Sequence, residues 1–159
     1  VFFKNMSANI QEDIRYLDAH ISDLEDIYSL ETSSYAHPWT KGILRDCINN
    51  RYDFFTAKYN DIIIGYIIAK ISIHETHVLN LTISEDYRKN GIATELLEMI
   101  FAKCFIMNSL EVYLETRVYN QPAISLYEKH GFKRIAIRKN YYQTSEGRED
   151  AIIFKKVIS

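Results

Sequence analysis

Cysteine is scarce in this 159-residue chain, and its two cysteines stand in no pattern that signals chemistry. Cys47 and Cys104 lie in segments with helical patterning, without a C-x-x-C pair or a histidine at metal-ligand spacing. We therefore expect reduced, structural thiols. His74 and His77 share a short polar segment, but no third ligand follows at a suitable spacing, so we expect a surface turn and no bound metal.

The chain also lacks a long apolar run and an excess of charge. No run approaches the roughly 20 apolar residues that span a bilayer, and residues 1–13 lack the apolar centre of a signal peptide. A net charge of -2 argues against a protein that binds a nucleic-acid backbone, which demands a basic face. We therefore expect a soluble, cytoplasmic protein without a membrane or nucleic-acid partner.

Apolar residues are plentiful, and the 47% hydrophobic composition is enough for the core of one domain. Residues 1–13 are polar and without clear periodicity, which predicts a flexible extension before a single domain at residues 14–159. Ser22 and Glu25 have the spacing of a capping box that opens the first helix, and Thr40 is the expected cap of the second.

Apolar periodicity and turn residues together predict about seven strands and four helices. The predicted strands are Ile14 to Leu17, Phe54 to Tyr59, Ile62 to Ile73, Val78 to Ile83, Leu110 to Thr116, Phe132 to Arg138 and Ala151 to Lys155. The predicted helices follow Ser22, Thr40 and Gly91 and cover Gln121 to His130. This order predicts an α/β fold with a mixed, mostly antiparallel sheet and helices on both faces.

The junction Arg88-Lys89-Asn90-Gly91-Ile92-Ala93 joins a strand to a helix through a turn that contains glycine. A helix N-terminus has backbone N–H groups without intrahelical partners and partial positive charge, so it attracts phosphate. Gly91 lets a ligand approach the backbone closely because it has no Cβ. The G-x-G-x-x-G and Gly-Lys-Ser/Thr patterns of nucleotide-binding folds are absent. The junction therefore indicates a pyrophosphate-bearing cofactor of another kind.

The pattern R-x-x-G-x-A, at the start of a long helix after an antiparallel meander, resembles the acyl-CoA loop of the GCN5-related N-acetyltransferases (GNAT). The resemblance to that family's core continues through Leu114 to Arg117, Asn120, Ala123 to Glu128 and Gly131-Phe132. A narrower resemblance, to members that acetylate the N-terminal alanine of a small-subunit ribosomal protein, lies in Ala36 to Trp39, Arg138 to Tyr142 and Gly147 to Ala151. Together these segments cover roughly residues 14–155.

The family resemblance implies acetyl-CoA as co-substrate and no metal. It implies that backbone groups of Leu81, Thr82 and Ile83 bind the pantetheine arm and polarise the thioester carbonyl. The residues that would bind the pyrophosphate are Arg88, Lys89, Asn90, Gly91, Ile92 and Ala93, largely through main-chain N–H groups, although the two cationic side chains also suit a solvated loop. Asn120 is the expected N-cap of the helix that follows it, and the resemblance implies that it also contacts CoA.

The same resemblance implies Glu115 as general base and Tyr127 as general acid. Glu115 stands on a strand whose alternate residues are apolar, so it projects with Tyr113 away from that apolar row. Tyr127 follows Asn120 by seven residues, which places both on one side of a helix. A solvated glutamate and a core tyrosine are the ordinary fates of such residues without the surrounding motif.

Tyr141, Tyr142, Glu149 and Asp150 flank a predicted loop and are the expected acceptor-site residues, since aromatic walls and acidic groups suit an N-terminal ammonium. A tyrosine-rich hairpin with solvated charges is the alternative. Trp39 either lines the acceptor site or fills core. The resulting expectation is direct acetyl transfer to the N-terminal alanine of a ribosomal protein. The same chemistry on a small amine or a lysine, and a non-catalytic acyl-CoA-binding module, are the alternatives.

Overall fold

The computed structural model describes residues 10–159, in which seven strands form one sheet in the order β1-β2-β3-β4-β5-β7-β6. The strands are β1 (Arg15–Asp18), β2 (Asp53–Tyr59), β3 (Ile62–Ile71), β4 (Glu75–Ile83), β5 (Glu111–Arg117), β6 (Lys133–Thr144) and β7 (Gly147–Val157). The long helices are α1 (Leu24–Ser34), α2 (Lys41–Asn49), α3 (Ile92–Ile106) and α4 (Gln121–Lys129). Strands β4 and β5 run parallel, whereas β1–β2, β2–β3, β5–β7 and β6–β7 are antiparallel. The predicted mixed, mostly antiparallel sheet is confirmed.

Contacts divide the chain into two compact units. The first unit comprises the chain up to Ala69 together with Asn80–Ile100, and the second comprises Lys70–Leu79 together with Phe101–Ser159. In the first unit, α1 and α2 bury their apolar sides against β2 and β3. The buried side chains of this core are Leu24, Ile27, Leu30, Leu44, Cys47, Phe54, Ile63, Tyr66 and Ile68.

The helix caps of the first unit agree with the sequence at one of two positions. Thr40 caps α2, because its hydroxyl accepts from the Ile43 N–H at 3.2 Å. The predicted Ser22 cap is wrong, since a 3-10 turn, Ile21–Asp23, precedes α1. The Asp23 carboxylate accepts from the His20 N–H at 2.9 Å and pairs with Lys58 at 2.8 Å. Asp23 therefore closes the start of the 3-10 turn that precedes α1.

Gly65 of β3 is the most closely surrounded glycine of the first unit. A Cβ at this position would stand 2.8 Å from Ile83 Cδ1, 3.2 Å from the Thr82 carbonyl oxygen and 3.3 Å from Ile92 Cγ2. The end of β4 and the first residue of α3 therefore rest directly on the β3 backbone. This contact determines where the turn between them lies.

In the second unit, β5 separates an apolar face from a polar one. Val112, Leu114 and Thr116 are buried, whereas the alternate residues from Glu111 to Arg117 are partly exposed. An aromatic cluster lies against the apolar face, with ring centroids 5.8 to 5.9 Å apart: Phe101, Tyr127, Phe132 and Phe154. The predicted projection of Glu115 away from the apolar row is therefore correct.

The hairpin β6–β7 is longer than the sequence indicated. Residues 139–150, predicted as a polar loop, continue both strands, and Tyr142 pairs with Glu149 in the ladder. The pattern was misleading because β6 is an edge strand that is exposed over most of its length, so it shows no apolar alternation. At the end of α3, Phe105 and Ile106 are 67% and 78% exposed, so the last turn of this helix is not part of the core.

The predicted flexible extension lies outside the described residues as far as residue 9, and residues 10–13 are helical. Within the part of the chain that the structure describes, no helix combines the length and the apolar character needed to cross a bilayer.

We predict opposite effects of alanine at two glycines. Gly65→Ala forces the methyl group against Ile83 and Ile92, and overpacking of this kind costs about 1–3 kcal/mol of unfolding free energy. Gly42→Ala is the control: it lies in α2 with only Thr40 Oγ1 within 4 Å, at 3.8 Å, so it should be neutral or stabilise by up to about 1 kcal/mol. Urea unfolding measures both. Equal stability of the two variants would contradict the close packing at Gly65.

Candidate active site

Side-chain hydrogen bonds from Asn90 and Gln11 hold the turn at residues 84–91 in the first unit. The Asn90 side-chain amide donates to the Tyr87 and Arg88 carbonyls at 2.9 and 3.2 Å, and Gln11 donates to the Asn90 carbonyl at 2.9 Å. Lys89 has φ 64° and Gly91 has φ 75°. Asn90 therefore shapes the turn through its side chain.

Gly91 stands at the N-terminus of α3 and faces open space. Its carbonyl accepts the helical hydrogen bond from the Glu95 N–H at 3.1 Å, and a Cβ built on Gly91 would meet nothing within 4 Å. A positive φ and an open approach at a helix N-terminus meet the requirements of an anion cradle. The residues present therefore fit the pyrophosphate of a CoA ester.

Leu81 and Ile83 direct their backbone groups away from β3. The Ser84 N–H donates to the Ile64 carbonyl of β3 at 2.8 Å, and successive residues of a strand direct their backbone groups to opposite sides. The Leu81 carbonyl and the Ile83 N–H consequently lie along the other edge of β4. The side chain of Thr82 is buried, with 2% exposure, so the contribution of this segment to a ligand is through its backbone.

A chain of hydrogen bonds runs from this strand into the first unit. Tyr35 Oη lies 2.8 Å from Thr82 Oγ1 and 3.2 Å from the Leu81 carbonyl oxygen, and the Thr82 hydroxyl donates to Asn80 Oδ1 at 2.8 Å. Asn80 Nδ2 donates to the Glu31 carboxylate at 3.1 Å. The sequence analysis did not single out Tyr35, Asn80 or Glu31. A signal was present for Glu31, which follows Leu24 and Ile27 on the apolar side of α1 at helical spacing.

Glu115 in the second unit is held by two neighbours from the β6 edge. Its carboxylate lies 3.2 Å from Arg138 Nη1, and its side chain is 28% exposed. Tyr141 is hydrogen-bonded to the same carboxylate. Burial together with this hydrogen bond raises the pKa of Tyr141, so the phenol is a neutral donor to Glu115.

Two guanidinium groups stack on the adjacent tyrosines. Arg138 lies 4.8 Å from the centre of the Tyr141 ring, and Arg117 lies 4.5 Å from the centre of the Tyr142 ring. The tyrosine rings meet edge to face at 4.9 Å. Burial and the charge of Glu115 raise the pKa of Tyr142. Both arginines belong to segments that resemble the family, but sequence analysis gave them no role.

The register between β6 and β7 shifts between Arg138 and Tyr142, where Asn140 has φ 54°. The Asp150 carboxylate accepts from the Asn140 N–H at 2.9 Å, and the Glu149 carboxylate pairs with Arg117 at 3.1 Å. Both predicted acidic residues thus have partners in the second unit: Asp150 fixes the bulge that carries Tyr141, and Glu149 of the hairpin holds Arg117 of β5, which stacks on Tyr142.

Tyr127 lies on the opposite face of this sheet from Glu115. Its ring packs 5.8 Å from that of Phe154, which pairs with Leu114, and neighbouring residues Leu114 and Glu115 point to opposite faces. Tyr127 is 8% exposed. Asn120 caps α4 as predicted, since its side-chain oxygen accepts from the Ala123 N–H at 3.3 Å.

The remaining candidates have structural surroundings. Trp39 packs against the core of the first unit, and its backbone N–H donates to Glu31 at 3.0 Å. Cys47 and Cys104 are buried thiols; Cys104 Sγ donates to Thr76 Oγ1 at 3.2 Å, and burial raises the pKa of Cys47. His77 stacks on Tyr113 with ring centroids 5.4 Å apart. It lies in strand β4, which begins at Glu75, and not in the predicted turn.

The glycine turn at a helix N-terminus in the first unit and the carboxylate at the end of β5 in the second unit are each features expected of an acyltransferase. The acetyltransferase (GNAT) family model matches residues 22–132. The chain belongs to the GNAT family of acetyltransferases.

Among its relatives is the ribosomal protein bS18-alanine N-acetyltransferase of Escherichia coli K12, 33% identical over 138 residues, which are 87% of this chain and 93% of that protein. The crystal structure of the Escherichia coli enzyme matches with a TM-score of 0.85 at 32% identity, over 92% of this chain and 94% of that one. A chain of the NatC complex bound to Gag peptide and CoA matches with a TM-score of 0.83 at 26% identity, over 92% and 99% of the two chains. The narrower resemblance, to the enzymes that acetylate the N-terminal alanine of a small-subunit ribosomal protein (the RimI group), is thus confirmed.

We predict that Glu115→Gln lowers the pKa of Tyr141 towards the ordinary tyrosine value near 10, because it removes the negative charge that opposes phenolate formation. Arg138→Gln should have the opposite effect, since the guanidinium favours the phenolate. Phenolate absorbance against pH measures the shifts, with Tyr141→Phe in each background assigning the signal. Shifts of the same sign in the two variants would refute the arrangement.

Proposed function

We propose that this protein transfers acetyl from acetyl-CoA to the N-terminal amine of a protein, with the N-terminal alanine of a ribosomal protein as the acceptor. The observation that carries acyl transfer is the open approach to Gly91 at the N-terminus of α3. The acceptor is proposed from the likeness to the RimI group, which extends through 138 residues.

The donor would be held by the first unit. Backbone N–H groups of residues 88–93, helped by the charges of Arg88 and Lys89, suit the pyrophosphate. The Leu81 carbonyl and Ile83 N–H suit the amide groups of the pantetheine arm and the thioester oxygen. A backbone donor aimed at a developing oxyanion is worth about 10²–10³ in rate. Asn120 remains a proposed CoA contact in addition to its observed capping role.

Residues of the second unit would accept the proton of the amine and donate a proton to the thiolate. The amine nitrogen attacks the acetyl carbonyl carbon, the carbon–sulfur bond breaks, and the amine loses one proton while the CoA thiolate gains one. Glu115 is the proposed acceptor of the amine proton, directly or through one water, and Tyr127 is the proposed donor to sulfur. Their positions on opposite faces of β5 suit a reaction in which the amine enters from one side and the thiolate leaves on the other.

The acceptor side chains would be Tyr141 and Tyr142, which bring rigid aromatic surface to the Glu115 face of the second unit. Glu149 and Asp150 serve this surface by fixing Arg117 and the Asn140 bulge rather than by direct attraction of the ammonium. Trp39 is proposed to support acceptor recognition from its place on the core of the first unit. Lysine side chains and small amines remain the alternative acceptors.

Thiol release from acetyl-CoA tests the acceptor class. We expect turnover with a peptide that begins with the ribosomal-protein alanine sequence. The same peptide with a blocked N-terminus and an internal lysine should give less than about one hundredth of that rate, because lysine has a pKa near 10.4 against 7.7–8.0 for an α-amine. Spermidine is the third acceptor. Faster turnover of lysine or spermidine would assign the alternative substrates, and acetyl-CoA binding without turnover of any acceptor would assign a binding module.

Removing the proposed base should reduce turnover without reducing donor binding. We expect Glu115→Gln to lower kcat by about 10²-fold or more, and Tyr127→Phe to lower kcat more than acetyl-CoA affinity. Glu111→Gln is the matched control, because Glu111 lies on the same face of β5 and pairs with Lys155 at 2.8 Å. Steady-state kinetics with calorimetric binding separate the two quantities. Equal loss in all three variants would contradict the assigned roles.

A further inference from the structure

Glu31 is a fully buried carboxylate that the proposed reaction does not use. Its side chain lies in the first unit with 1% of the residue exposed. It accepts from the Trp39 N–H at 3.0 Å, from Asn80 Nδ2 at 3.1 Å and from the Tyr66 hydroxyl. Charge-assisted hydrogen bonds of this kind are stronger than neutral ones, which makes the carboxylate a fixed anchor.

In the hydrogen bonds that join Tyr35, Thr82 and Asn80 to Glu31, each donor lies on the side away from Glu31. Asn80 donates its amide protons to Glu31, so its oxygen accepts from the Thr82 hydroxyl. The single proton of Thr82 is thereby used, so the hydroxyl of Tyr35 is the donor to Thr82 and shares its proton with the Leu81 carbonyl. The chain from Glu31 through Asn80 and Thr82 to Tyr35 therefore has one consistent polarity.

We propose that this chain, the Glu31 network, positions the edge of β4 for the acyl donor, with Tyr35 as the positioning residue at its outer end. The inference rests on the proposed function, because it assigns the Leu81 carbonyl and the Ile83 N–H to the donor. Tyr35 donates to the Leu81 carbonyl, which points away from β3, and a carbonyl has a second lone pair for a ligand. Tyr35 is 40% exposed and Thr82 is 2% exposed, so Tyr35 is the outer end of the chain of hydrogen bonds.

Calorimetric titration with acetyl-CoA, in the absence of any acceptor, tests the proposal. Tyr35→Phe should raise Kd about fivefold, which corresponds to the loss of one net hydrogen bond. Thr82→Val keeps the shape of a buried side chain and breaks the chain between Asn80 and Tyr35, so it should have an effect of similar size. The double variant should bind no more weakly than the weaker single one, because both changes remove the same connection. Tyr28→Phe, on the same helix as Glu31 and packed against the core, is the matched control and should leave Kd unchanged.

Amide hydrogen exchange separates positioning from loss of stability. Exchange at Leu81 and Ile83 should accelerate in Tyr35→Phe, while the buried amides of Ile27 and Leu44 keep their wild-type rates. Acceleration at all four would indicate general destabilisation and overturn the proposal. Wild-type Kd in both Tyr35→Phe and Thr82→Val would also overturn it while leaving the proposed function intact. Failure of the wild-type chain to bind acetyl-CoA would instead refute the proposed function.

Discussion

The missing side chain at Gly65 is the constraint on which the donor side of this protein depends. Because no Cβ stands there, Ile83 at the end of β4 and Ile92 at the start of α3 pack directly on the β3 backbone. Both ends of the turn at residues 84–91 are then fixed at one place, and the short connection between them has few conformations left. Asn90 uses its side chain to hold the turn that results. An anion site made of backbone groups needs this rigidity, because the direction of a backbone N–H group is set by the backbone conformation alone.

On the acceptor side, the Glu115 carboxylate is held in place without being deeply buried. Glu115 lies at the polar face of β5, with Arg138 on one oxygen and the Tyr141 phenol as a second partner. Arg138 is in turn stacked on Tyr141, and the bulge at Asn140 that presents Tyr141 is fixed by Asp150. Because the two partners come from the neighbouring hairpin, the position of Glu115 depends on the β6–β7 register more than on its own strand.

The sequence predicted the parts whose physics is local. Gly91 before a helix and Thr40 as a cap follow from backbone requirements of a few residues, and the alternation along β5 predicts which way Glu115 points. The edge hairpin was not predicted, because its ladder is set by pairing with β7 and not by an apolar pattern. The Glu31 network was missed for a related reason: Glu31 and Asn80 are 49 residues apart along the chain, and Asn80, Thr82 and Tyr35 each resemble an ordinary polar residue. Networks of this kind have no sequence period, so only the fold brings them together.

The placement of the two proposed proton carriers also bears on which amines suit this chemistry. An α-amine, with a pKa near 7.7–8.0, is partly neutral at neutral pH, whereas a lysine near 10.4 must first lose a proton at a cost of about 3.5 kcal/mol more. The proposed transfer of an amine proton to Glu115 therefore demands less of an N-terminal acceptor than of a lysine. Tyr127, on the opposite face of β5, is the proposed proton donor to the thiolate that leaves, because a thiol with a pKa near 8.5 and a phenol near 10 are close enough for transfer within a hydrogen bond.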